Sequence, residues 1–105
     1  MDFSGADLRG VNLSRANLSG ARLSNADLSQ SELTGADLSN AELYNTQLMG
    51  ANLSEANLAG ADLQKAQLTN TNLYRANLTS AWLASVQLQD ANLSQANLFK
   101  STLNS

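Results

Sequence analysis

Residues 1–30 read MDFSGADLRGVNLSRANLSGARLSNADLSQ. Every fifth position from Phe3 is large and apolar: Phe3, Leu8, Leu13, Leu18, Leu23, Leu28. The comb continues without a miss to Leu103, so twenty-one pentads tile the chain with no insertion. Two residues before each centre the residue is Ala in fourteen pentads. The other occupants of that slot, Met1 aside, are small or β-branched: Val11, Ser31, Thr46, Thr71, Val86 and Ser101. The residue just before the centre is mostly Asp or Asn, and the one just after it is most often Ser.

Neither regular element can gather such a comb. On an α-helix five steps turn about 500°, so successive leucines scatter about 140° apart around the cylinder. On a flat strand five is odd, and successive leucines point to opposite faces. A short extended triplet solves the problem. Ala6 and Leu8 then point to one side and Asp7 to the other, and Arg9–Gly10 turn the chain before Val11-Asn12-Leu13 repeats the pattern. The chain is predicted to coil around its own leucines, with coils stacked at about 4.8 Å through β-ladder hydrogen bonds. Each buried leucine contributes roughly 1.5–3 kcal/mol. The inward pattern alone fits a triangular coil as well as a square one.

The totals narrow the classes. The chain has 105 residues, 43% apolar but only 5% aromatic, with six glycines and no proline. A net charge of −3 disfavours direct nucleic-acid binding. With no cysteine and no histidine, disulfides, thiol nucleophiles, the commonest catalytic base and most transition-metal sites are excluded. No apolar run follows Met1 and none is long enough to span a bilayer. The expectation is a cytoplasmic protein with no membrane contact and no cofactor.

The motif Ala16-Asn17-Leu18-Ser19-Gly20 resembles the pentapeptide-repeat family, and the likeness covers all 105 residues. The resemblance implies an all-β fold, a right-handed quadrilateral β-helix or β-solenoid of about five coils of four pentapeptides. Residues 1–105 would form a single domain with no linker or cap. Sorting the sequence by twenties then makes like meet like. Ala16, Ala36, Ala56, Ala76 and Ala96 align, as do Gln47, Gln67 and Gln87, and Asn52, Asn72 and Asn92; Arg22 falls between Asp2 and Glu42. Stacked strands favour such amide ladders and opposite charges, which supports four sides.

Candidate chemistry is sparse. Asp7, Asp27, Asp37, Asp62, Glu32 and Glu42 all occupy the outward slot on a convex rod, where no cleft would shift their pKa values. No catalytic, metal or cofactor-binding residue is assigned, and an enzyme is not expected. Five Asn-x-Ser/Thr sequons, at Asn12, Asn17, Asn52, Asn77 and Asn92, follow from the spelling of the repeat. The outward residues that break the pattern are Trp82, Tyr44, Tyr74, Phe99 and Met49, the candidate interaction surface; aromatics anchor interfaces. They spread over different faces, with Trp82 and Tyr44 two coils apart on one. Open strand edges invite pairing, so the end near Leu88, Leu93, Leu98 and Leu103 is a candidate for end-to-end homodimerisation.

Three functions fit this reading. The first is a non-enzymatic scaffold or protein-protein interaction module of unknown partner; the resemblance includes cyanobacterial members associated with heterocyst regulation. The second is a DNA-mimicking inhibitor of DNA gyrase, a topoisomerase, as the resemblance to quinolone-resistance members implies. Duplex DNA carries about one charge per 1.7 Å, so a rod of about 25 Å would want about fifteen negative charges, against a net −3 here. The third is a truncated or designed repeat with no separate function.

Overall fold

A computed structural model describes residues 1–103; Asn104 and Ser105, the last two positions of the expected domain, lie outside the described residues. The chain winds as a right-handed quadrilateral β-helix. Each outward residue pairs in parallel with the residue twenty further on, from Asp2↔Arg22 to Trp82↔Thr102. One coil is therefore four pentads: 1–20, 21–40, 41–60, 61–80 and 81–100, with 101–103 beginning the next. The molecule measures 29 × 23 × 22 Å, as five coils at about 4.8 Å plus side chains require.

The corner of each pentad is a β-turn. Ala6 N donates to Phe3 O at 2.9 Å, and the same bond recurs along the chain, as in Ala56 N to Leu53 O at 3.0 Å. The third turn residue has positive φ throughout, 66° to 70° at the glycines and 55° to 63° elsewhere, the type II pattern. Only six corners carry glycine, and Arg15, Glu55 and Lys65 are among the residues that accept the left-handed conformation, at about 1–2 kcal/mol each. Gly60 has a second reason: a Cβ there would meet the Asn40 side chain of the coil beneath.

A full accounting of backbone donors explains the repeat. Take the third face of the middle coil, Ala51-Asn52-Leu53-Ser54-Glu55. Ala51 N closes the turn on Leu48 O at 3.0 Å. Asn52 N reaches down to Ser31 O at 2.9 Å, Leu53 N reaches up to Asn72 O at 2.7 Å, and Glu55 N reaches up to Tyr74 O at 2.7 Å. Ser54 N alone has no main-chain partner; it donates to Asn52 Oδ1 at 3.0 Å. The same side-chain bond occurs at every Asp or Asn in the outward slot, from Ser4 N on Asp2 to Phe99 N on Asn97. Asp and Asn are short enough to turn back on the amide two residues ahead. Among the described residues, Gln47, Gln67, Gln87, Glu32 and Glu42 make no such bond.

The expected ladders therefore stand in register but are held differently. The Gln and Asn rows stack at twenty-residue spacing. Within the Asn rows, however, Oδ1 accepts from its own backbone, and a rung such as Asn77 Nδ2 to Asn57 Oδ1 is long, at 3.4 Å.

Inside, leucines and small residues close the column. Leu23 through Leu83 and the alanines two positions before these centres are buried. Of the candidate core ladder, Leu18, Leu23 and Leu28 are buried, whereas Phe3, Leu8 and Leu13 are half-buried because the first coil has a neighbour on one side only. Two buried hydroxyls in the small slot find carbonyls: Thr46 Oγ1 donates to Leu23 O at 3.0 Å and Thr71 Oγ1 to Leu48 O at 2.9 Å. Ser31 Oγ is buried without a partner.

Candidate interaction surface

Among the described residues the surface carries no pocket. What distinguishes one position from another is the set of side chains that the repeat holds outward in rows.

The first face carries the row Asp2, Arg22, Glu42, Asp62, Trp82 and Thr102, each paired to the next. Arg22 lies between two acids as expected, with Nε 3.8 Å from Glu42 Oε2. The Asp2 carboxyl is held below its ordinary value, first by the Ser4 backbone amide, then by the Ser4 hydroxyl and more weakly by Arg22. Asp62 is half-buried, its Oδ1 accepting from Gln64 N and Gln64 Nε2, both at 3.1 Å. Trp82 stands above it, 54% exposed, in a slot otherwise polar along the whole chain.

The other pattern-breaking residues occupy the position just after the centre, beside a corner. Tyr44, Met49 and Phe99 are exposed and Tyr74 is half-buried. Each of the three rings carries a cation: Lys65 Nζ lies 5.6 Å from the Tyr44 centroid, Arg75 Cζ 5.4 Å from that of Tyr74, and Lys100 Nζ 5.4 Å from that of Phe99. Sequence reasoning missed these cations. Arg75 and Lys100 directly follow their aromatics, a visible signal; Lys65 follows Tyr44 by twenty-one residues and meets it only once the coil length is known. The five residues sit on four faces and form no single patch.

On the second face Arg9 clamps Asp7 through Nε to Oδ1 at 2.9 Å and Nη2 to Oδ2 at 2.8 Å. Asp27 lies 3.9 Å away in the next coil. The Arg9 side-chain bonds, helped by its backbone amide, lower the Asp7 carboxyl to about 2, and the same pair raises Arg9. Asp37 is lowered by the hydroxyl and amide of Ser39. Glu32 and Glu42 are exposed, as is Asp7 in the first coil, while Asp27, Asp37 and Asp62, whose carboxylates turn back to the backbone within the stack, are half-buried.

At the far end, Leu88, Leu93 and Leu98 are half-buried and Leu103 is 55% exposed. Among the described residues the amides of Leu88, Leu93 and Leu98 have no main-chain partner. No helix among the described residues is long and apolar enough to cross a membrane.

Comparison with known proteins bears on both fold and family. No curated protein matches the chain in sequence. Among solved structures, a pentapeptide repeat protein from the Arabidopsis thaliana thylakoid lumen is 35% identical over 90% of this chain, with a TM-score of 0.87; the chain spans 66% of that protein's length. The pentapeptide repeat protein Rfr23 of the cyanobacterium Cyanothece 51142 is 33% identical over 95% of this chain and 89% of its own, with a TM-score of 0.57. Trypsin-treated QnrB1, a plasmid-mediated fluoroquinolone resistance protein, shares the fold at 22% identity and a TM-score of 0.65, over 97% of this chain and 62% of its own. The family model for pentapeptide repeats matches in eight copies, over residues 2–35, 16–54, 51–86 and 76–105. The chain belongs to the pentapeptide-repeat family.

Proposed function

We propose that this protein is a non-enzymatic scaffold, a polar rod whose faces dock another protein. The observation that carries the reading is the contrast between inside and outside. The interior is a closed leucine column with no pocket among the described residues, which leaves catalysis no cleft. Outward side chains stand in flat rows at a fixed spacing, and Trp82, Phe99, Tyr44 and Met49 are large apolar groups left in water. Affinity capture from the source organism, with Trp82→Ala and Tyr44→Ala as controls, tests it. A partner lost with either variant supports the reading, and no specific capture sinks it.

Cytoplasmic residence belongs to the same proposal; fractionation checks it, since the Arabidopsis relative is a thylakoid-lumen protein. So does end-to-end pairing of two copies through Leu88, Leu93, Leu98 and Leu103. A mass that stays monomeric over a wide concentration range removes the dimer.

The fold shared with QnrB1 is what favours a second reading, a DNA mimic directed at gyrase. Charge density opposes it. A rod of 29 Å would match the phosphates of duplex DNA with about 17 negative charges, while this chain has a net −3. Inhibition of gyrase supercoiling at micromolar chain would revive that reading.

A further inference from the structure

We propose that Trp82, with Asp62 and Glu42 below it, is a docking site for a basic segment of a partner protein, an arginine side chain lying on the indole. The inference rests on the interaction reading above and names the partner's chemistry.

Trp82 differs from the other three outward aromatics in one respect that matters chemically. Tyr44, Tyr74 and Phe99 each hold a cation of this chain over the ring. Among the described residues Trp82 holds none, although the indole has the strongest cation-attracting face of the natural side chains. The nearest basic residues by register, Lys65 and Lys100, lie on Tyr44 and Phe99. The residues two positions either side of Trp82, Ser80 and Ala84, are small, and the ring is 54% exposed.

The row beneath supplies the charge. Asp62 pairs directly with Trp82 and Glu42 with Asp62. Asp62 has no cation within salt-bridge distance among the described residues, its polar contacts being to Gln64. Among the described residues Glu42 is approached by one cation, Arg22, at 3.8 Å. From Glu42 to Trp82 is two coil spacings, about 10 Å, which three residues of a polyproline II segment cover at about 3.1 Å each while returning to the same side. A segment with one arginine on the indole and a second basic residue three positions away would satisfy both halves of the row. Arginine suits it better than lysine, because the guanidinium stacks on aromatic faces and forks onto carboxylates. A nucleic acid would be repelled by the two acids. A purely apolar partner would find a single ring bounded by Asp62, Thr102 and Ser80.

The chain has one tryptophan, so its own fluorescence reads the site. The probe is a peptide of four arginines spaced by pairs of glycines, with the glutamine version as control. The arginine peptide should change the Trp82 emission saturably and the glutamine peptide should not. With a labelled peptide, Asp62→Asn should weaken binding about threefold and Trp82→Ala about fivefold or more, while Asp7→Asn, on another face, should leave it unchanged. Equal affinity for the parent and Trp82→Ala, equal loss with Asp7→Asn, or no binding at millimolar peptide would overturn the site. The two readings fail separately. A protein partner retained by Trp82→Ala overturns this site and leaves the scaffold standing. Peptide binding at Trp82 without any captured partner does the reverse.

Discussion

The outward slot makes a prediction that a solvated polar row would not. Asn72 Oδ1 accepts from Tyr74 N at 3.0 Å, and no main-chain group takes that amide. Asn72→Gln keeps the amide chemistry and adds one methylene, which moves the acceptor past the donor; the native Gln67 makes no such bond. A neutral hydrogen bond lost without burying an orphan is worth about 1 kcal/mol. The neighbouring coil bonds, Asn72 N to Ala51 O at 3.0 Å and Leu73 N to Asn92 O at 2.8 Å, stay intact. The urea midpoint should therefore fall by about 0.3–1 M at an ordinary slope, and the Tyr74 amide should exchange about fivefold faster. Asn72→Asp keeps Oδ1 and should stay within about 0.5 kcal/mol of the parent at pH 7. The mirror experiment is Gln67→Asn, which offers Thr69 N an acceptor it lacks; stability should rise by about 0.5–1 kcal/mol and Thr69 should gain protection. If Gln and Asp at position 72 cost the same, or Thr69 exchange does not change, the slot is not set by this bond and the reasoning fails.

Four further outcomes follow from the packing. Leu53→Ala, at 0% exposure in a coil pinned on both sides, cannot collapse and should cost about 3–4 kcal/mol, well above Leu98→Ala in the half-buried last coil; equal midpoints in denaturant would contradict this. Ser31→Ala removes the unpartnered buried hydroxyl and should raise stability by about 1 kcal/mol, whereas Thr71→Ser, which empties a methyl site and keeps the hydroxyl, should lower it by a similar amount. Gly60→Ala adds a Cβ against Asn40 at φ +69° and should cost about 1–2 kcal/mol, seen as a lower thermal midpoint. The Asp7 carboxyl is held at about 2 by Arg9. Because its folded value lies below the unfolded one, its contribution is complete above about pH 4 and is lost as pH falls toward 2. In Arg9→Gln, carboxyl NMR should show Asp7 titrating nearer the ordinary carboxylate range; an unmoved titration would refute the clamp.

How much of this was legible depends on where each requirement is written. The leucine comb is legible because the core needs one large side chain per pentad, and neither a helix nor a flat strand tolerates that period. The four sides are not in the period. They come from corners with positive φ, and those corners are disguised, since Arg15, Glu55 and Lys65 turn the same corner that Gly5 does. The Asp/Asn preference was visible but pointed inward along the chain rather than outward to water. Its cause is side-chain length, and the contrast with Gln47, Gln67 and Gln87 was the signal. The cations over Tyr74 and Phe99 are neighbours in sequence, while the one over Tyr44 is a neighbour only in the coil. That difference decides what can be said of function. A coil that repeats its interior without change places all individuality on the outside. An outward residue then acquires meaning from the residues twenty before and twenty after it. Trp82 read alone is a stray aromatic; read over Asp62 and Glu42, with Tyr44, Tyr74 and Phe99 already holding cations, it has a definite chemical complement.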